Sequence, residues 1–199
     1  CKNKLKNHFE KLNGNKIETL LFHDVDILLK KNGLKIFRNV EFLKKKYFKK
    51  IGISIYDTKC LSYLISHYDL DVVQCPFNLL DKRIVSSGWL KKLKKKGIEI
   101  HVRSIFLQGI LVNKNVYKKK YFKKWKNLFS EWFRNLENNN ISPIDYCLSD
   151  LLKNNFDKIV IGINNSQNLN EILNFKNINK SNMIKLNIND TKLIDPRNW

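Results

Sequence analysis

Two short runs decide the fold: IGIS (51–54) and LDVVQ (70–74), separated by a stretch of helical spacing and ending in the polar residues Ser54 and Gln74. Upstream, IETLLFH (17–23) repeats the pattern and ends in His23; downstream, IEIHVRS (98–104) repeats it and ends in Ser104. A strand with one solvated face alternates apolar and polar side chains. These runs are close to continuously apolar, and helical intervals separate them, which predicts parallel strands buried on both faces. Polar groups at the carboxyl ends of successive parallel strands point to one rim of a barrel, where such folds keep their active sites. The chain therefore reads as an α/β enzyme with its site at the strand ends.

The rest of the chain extends the rhythm. Leu5, Phe9 and Leu12 sit at helical spacing and predict a helix over 2–12, stopped by Asn13-Gly14. A strand over 17–22 is followed by apolar residues to Leu29 and a break at Asn32-Gly33. A helix is expected over 39–48, then strand 50–55, helix 58–67 and strand 70–75, closed by Pro76, which cannot donate to a ladder. Asp81 as N-cap and Gly97 as C-cap bracket a helix over 82–96. Beyond strand 98–103 come a loop from Phe106 to Tyr117 and an aromatic-rich helix over 119–137, whose rings suit a core better than a base-stacking platform. Ser142-Pro143 opens a helix over 143–154, followed by strand 157–163, helix 167–175 and an irregular tail, 176–199.

At 199 residues and 43% hydrophobic, the chain is large enough for one domain with a core. No apolar run approaches the roughly 18 residues a bilayer span requires, and no signal peptide is visible. The sequence begins with Cys1, read here as truncation rather than as a mature lipoprotein. Lys+Arg outnumber Asp+Glu 38 to 18, giving a formal charge of +20 that could steer the chain to an anionic partner. The excess is mostly Lys rather than the Arg that groove readout favours, and the Lys runs fall on expected helix faces. A solvated surface is preferred over a nucleic-acid patch. Cys1, Cys60, Cys75 and Cys147 form no CxxC pair, so buried thiols in a reducing cytoplasm are expected rather than zinc or redox chemistry.

IGISIYD (51–57), DVVQCPFNLLDKR (71–83), IHVRSIFLQGIL (100–111) and IVIGINNSQNLNEIL (159–173) together resemble the aldo-keto reductase family. The resemblance runs from about residue 2 to the end, is most specific over Asp71–Leu111, and is most similar to the bacterial branch associated with surface-polysaccharide and flagellin-sugar pathways. It implies a partial (β/α)8 TIM barrel, holding strands four to eight of the family barrel as one domain over 1–199, with the N-terminal third absent. It further implies an NAD(P)H-dependent oxidoreductase that reduces a small carbonyl substrate, an aldehyde or ketone such as a sugar derivative.

Of the family's Asp, Tyr, Lys and His tetrad, only His23 has a counterpart, as the catalytic residue that orients the substrate carbonyl. Neutral imidazole can donate that hydrogen bond without carrying charge. Ser54 and Gln74 resemble the positions that hold the nicotinamide carboxamide, with Ile55 where the family usually has Asn. Arg103 stands where many members stack a Tyr, and an Arg plane serves either stacking or a phosphate. Ser104, Phe106, Gln108 and Gly109 match the loop around the pyrophosphate. Gly162, Asn164, Ser166, Asn168 and Glu171 match the adenosine half, with Asn168 in place of the Arg many members use for the 2′-phosphate. The resemblance implies NADP as cofactor, with NAD as the second choice. No metal is implied, because hydride transfer here needs a positioned proton donor. Asn78 and Asp81-Lys82-Arg83 read as a turn and helix start. Two further readings stay open: a catalytically inactive binding or structural module, and a basic nucleic-acid-binding protein. The substrate and the oligomeric state are not legible.

Overall fold

In a computed structural model of the chain, residues 2–178, 186 and 190–199 are described. The elements run α1 (Lys2–Lys11), β1 (Ile17–Phe22), α2 (Asp26–Leu29), α3 (Gly33–Tyr47), β2 (Phe48–Ser54), α4 (Leu61–His67), β3 (Val72–Pro76), α5 (Arg83–Ser86), α6 (Trp89–Lys95), β4 (Glu99–Arg103), α7 (Lys126–Asn138), α8 (Pro143–Leu151), β5 (Lys158–Ile159), α9 (Ser166–Leu173) and α10 (Thr191–Ile194). The fold is α/β, and the strands form a five-stranded parallel sheet in the order β1-β2-β3-β4-β5. Sequential order with a helical crossover between neighbours is what continuously apolar strands require. The described residues pack as two compact units, Cys1–Cys75 with Ile84–His101, and Pro76–Arg83 with Val102–Trp199.

In the first unit, β1 pairs with β2 from Ile17↔Phe48 to Phe22↔Ile53, and β2 with β3 from Gly52↔Val72 to Ser54↔Gln74. Ile51, Ile53, Val72 and Val73 are fully buried. Gly52 is required by close approach: a Cβ there would stand 2.4 Å from the Val72 carbonyl oxygen and 2.7 Å from its Cβ. At the amino ends of the strands, Lys50 bridges Glu18 (3.4 Å) and Glu99 (2.5 Å), and Glu99 meets the buried His101 at 3.2 Å. Hydrogen bonds from Lys49 and Lys50 hold Glu18 below the usual carboxylate range, and the Lys50 bond does the same for Glu99.

The second unit is built on aromatics of α7 and α8. Trp132 is fully buried, donates its indole N–H to the Leu111 carbonyl at 3.0 Å, and meets Tyr146 edge-on at 4.8 Å. The expectation that these rings form core holds. Asp81, fully buried, accepts both the backbone N–H and the guanidinium of Arg83. Lys82 pairs with Asp150 and lies 4.2 Å over the Phe77 ring; burial pulls its ammonium below the ordinary range, against the opposing pull of Asp150. Burial likewise pushes the Cys147 thiol far up. Cys75 and Cys147 are buried as expected, whereas Cys60 is half-buried; Cys1 lies outside the described residues.

Several boundaries differ from the sequence expectation. Asn32-Gly33 does not break the chain but starts α3, six residues before the expected start at 39. Gly33 is there for packing, since a Cβ would stand 2.2 Å from the Leu28 carbonyl oxygen and 2.6 Å from the Tyr68 hydroxyl. The helix expected over 82–96 is two, α5 and α6, parted at Gly88, whose φ of +77° no helix accommodates. The helix expected over 119–137 begins as a 3-10 helix, Lys120–Trp125. The strand expected over 157–163 shrinks to Lys158–Ile159, with one further ladder bond from Val160 N–H to the Val102 carbonyl. The tail is not irregular to its end: Asp190 caps α10, and Asp195 caps the 3-10 turn Pro196–Asn198 while pairing with Arg197 at 2.6 Å. Residues 179–185 and 187–189 of that tail lie outside the described residues.

Candidate functional site

The second unit contains a cavity of ≈ 410 Å³ beyond the end of β4. Its wall includes Arg103, Ser104, Phe106, Gln108 and Gly109 from the loop after β4, and Gly162, Asn164 and Asn168 from the segment entering α9. Eight of the expected cofactor residues therefore meet in one place. The sequence reading missed the apolar part of the wall, Ile105, Val112, Ile144, Val160, Ile161 and Ile172. Isolated Ile and Val residues carry no chemical signal, and only the packing shows that they line anything. Ser166 and Glu171 are not in the wall: both are exposed, and Glu171 accepts from Gln167 at 3.1 Å along its own helix.

The backbone of the β4 loop is unusual. Ser104, Leu107 and Gln108 all have positive φ (61°, 45° and 56°), followed by Gly109 at 83°. Non-glycine residues in the left-handed region cost roughly 1–2 kcal/mol each, and such strain clusters at ligand sites. Among the described residues, the peptide N–H groups of Ser104, Ile105, Phe106, Gln108 and Gly109 meet no acceptor. Successive left- and right-handed residues that leave their N–H groups unbonded form a concavity for an anion. The loop is held from below: the buried Asn78 donates its amide to the Ser104 carbonyl at 3.2 Å and accepts the N–H groups of Leu80 and Asp81 at 3.0 Å. Asn78 is thus a turn former, as expected, and also a positioning residue for the loop. Across the cavity, Asn165 caps α9 by accepting from the Asn168 N–H at 2.8 Å. A helix amino end adds partial positive charge of the same sign.

The other expected residues belong to the first unit. His23 follows β1 directly, is exposed, and has no hydrogen-bond partner among the described residues. It is therefore not a buried histidine satisfied within the core. Ser54 ends β2 and is register-paired with Gln74 on β3, so the two side chains share a face of the sheet. The Ser54 hydroxyl is buried and meets no partner among the described residues. The Gln74 carbonyl is used by the Ile55 N–H at 2.9 Å, but its side-chain amide makes no bond among the described residues. A buried hydroxyl without a partner costs about 1–3 kcal/mol unless a ligand supplies one. Ser54 and Gln74 offer a donor and an acceptor side by side, which fits a carboxamide.

A sequence model of the Aldo/keto reductase family matches residues 1–195. The chain belongs to the aldo/keto reductase family. Its fold is similar to that of the aldo-keto reductase AKR11C1 from Bacillus halodurans, with a TM-score of 0.66 and 14% identity for the holo form, covering 86% of this chain and 59% of that one. The apo form gives 0.68 and 13%, with 91% and 64% covered. The glycerol dehydrogenase AKR11B4 from Gluconobacter oxydans matches with a TM-score of 0.54 and 12% identity, covering 87% of this chain and 62% of that one. The chain thus spans about three-fifths of the length of these structures. No curated protein matches the sequence. Among the described residues, no helix is long and apolar enough to cross a membrane.

Proposed function

We propose that this chain is the cofactor-holding portion, strands four to eight, of an NAD(P)H-dependent aldo-keto reductase acting on an aldehyde or ketone in the cytoplasm. The observation that carries the reading is the β4 loop: five residues on a strained backbone, whose peptide N–H groups meet no acceptor among the described residues, line a cavity of ≈ 410 Å³. A neutral apolar pocket does not need that arrangement, and a pyrophosphate does. Arg103, the one charged residue in that wall among the described residues, supplies a full positive charge to the same anion. Gly162, Asn164 and Asn168 line the part assigned to the adenosine half, and Ser166 and Glu171 are assigned there by resemblance alone.

When bound, the nicotinamide supplies the hydride. Ser54 and Gln74 would fix its ring face through the carboxamide, using the hydroxyl and amide that lack partners among the described residues. His23 would donate a hydrogen bond to the substrate carbonyl. The proton has no donor of the family type on this chain, since Asp, Tyr and Lys of the tetrad find no counterpart, so the 199 residues alone are expected not to turn over. A sugar-derived carbonyl, as in the polysaccharide and flagellin-sugar branch, is the substrate class the resemblance suggests. NADP is the cofactor carried from the resemblance; Asn168 in place of a cation is the reason to measure NADH as well.

Calorimetric titration of the full-length protein tests the reading. Saturable NADPH or NADH binding is expected. Arg103→Ala should weaken it about tenfold or more, and Gln74→Ala should lose roughly 1–3 kcal/mol. No saturable binding, or unchanged affinity in both variants, overturns it.

A further inference from the structure

A second cavity lies in the first unit, away from any residue assigned above. It is a groove of ≈ 510 Å³ between α4 and α6, walled by Ser62, Ile65 and Ser66 from one helix and by Trp89, Lys92, Lys95 and Lys96 from the other and its end. On α4 those positions are i, i+3 and i+4; on α6 Trp89, Lys92 and Lys96 are i, i+3 and i+7, so each set forms one helical face. Among the described residues, three lysines and no carboxylate line the groove. Residues 82–98 hold seven Lys or Arg and no Asp or Glu. None of the three lysines has an ion-pair partner among the described residues; Lys92 instead sits 4.9 Å over the Trp89 ring.

Helix-dipole complementation accounts for lysines in the last turn of α6. It does not account for the tryptophan. Three of the four indole N–H groups have acceptors: Trp125 donates to Asp190, Trp132 to Leu111 and Trp199 to Lys192. Trp89 alone has none among the described residues, and it lies half-buried in the wall of the groove. The Ser62 hydroxyl is also unbonded among the described residues, while Ser66 is committed to the Tyr63 carbonyl at 2.9 Å. Unmatched donors therefore converge on a concave, partly apolar surface. Like-charge neighbours at i+3 and i+4 on α6 destabilise the helix, and an anion between them removes that repulsion.

We propose that the α4–α6 groove binds a soluble phosphorylated small molecule carrying two or more negative charges on a ring. The lysines and the indole N–H take the phosphates, and the Trp89 face and Ile65 take the ring. The volume lies within the range of small-ligand pockets and exceeds what inorganic phosphate fills. This site is independent of the cofactor reading, because it shares no residue with it.

Calorimetry of the full chain with fructose 1,6-bisphosphate tests it, beside variants of equal charge loss. Replacing Lys92, Lys95 and Lys96 together by Ala should weaken binding at least about tenfold, and Trp89→Leu about threefold. The matched control, with Lys118, Lys119 and Lys120 replaced by Ala, should change it less than about twofold. All these side chains are exposed or half-buried, so thermal melts of the variants are expected to match the parent. An unaffected groove variant, or a control that loses as much, overturns the proposal. So does a chain that ignores the sugar bisphosphate yet binds anionic vesicles or an oligonucleotide through these lysines.

Discussion

β2 and the segment 158–163 look alike in sequence and differ in structure. IGIS and KIVIGI are both short, apolar and glycine-interrupted. In β2, Ile51 and Ile53 are buried and the strand is paired on both sides, with β1 and with β3. In the second segment the strand lasts two residues, Ile163 is 46% exposed, and Val160 makes a single ladder bond to Val102. Apolar character proposes a strand, but a partner on each edge is what completes it. The glycines divide the same way: Gly52 is squeezed against Val72, whereas a Cβ on Gly162 would meet nothing within 4 Å.

That contrast is open to attack by mutation. Ile53→Ala should cost about 2–5 kcal/mol in urea unfolding, and Ile163→Ala under about 0.5 kcal/mol. Similar costs would mean that 158–163 is buried after all. Gly52→Ala should cost roughly 1–3 kcal/mol through overpacking, with Gly162→Ala within about 0.5 kcal/mol of the parent. The β4 loop sharpens the comparison from the opposite direction. Gln108→Gly should raise stability by about 1 kcal/mol, because glycine removes the left-handed strain that the ligand loop carries. A loss of stability would show that the Gln108 side chain is held by contacts that outweigh the strain.

The smallest effect concerns acid. Arg197, through its hydrogen bonds, holds the Asp195 carboxyl below its usual range. A depressed carboxyl stabilises the fold at neutral pH, and that contribution is lost only as the pH falls through the lowered value. Arg197→Ala should therefore move the acid unfolding midpoint to higher pH while leaving the alkaline limb unchanged. An unmoved acid limb would remove the role given to this pair.

Much of the fold was legible. β1 appears at Ile17–Phe22 as expected, β2, β3 and β4 lie within two residues of their expected bounds, and Ser142 caps α8 ahead of Pro143. Asn13-Gly14 and Gly97 end helices with positive φ, as a turn and a C-cap demand. The candidate site was legible only where chemistry is written into side chains: Arg103, Gln108 and Asn164 were found, and Ile144 and Ile172 were not. The Asn78 bond to the Ser104 carbonyl links residues 26 apart in sequence, and nothing local announces it.

By itself the sequence determined the β/α rhythm, because apolar run length and glycine conformation are local properties of the chain. It also carried the family, through side chains at strand ends. Only the tertiary structure decided that Gly33 begins a helix rather than breaking one, that β5 is a stub, and that Trp89 lines a basic groove with its N–H unmatched among the described residues. Each of these depends on what a distant segment places beside the residue, and packing, unlike periodicity, is a property of pairs.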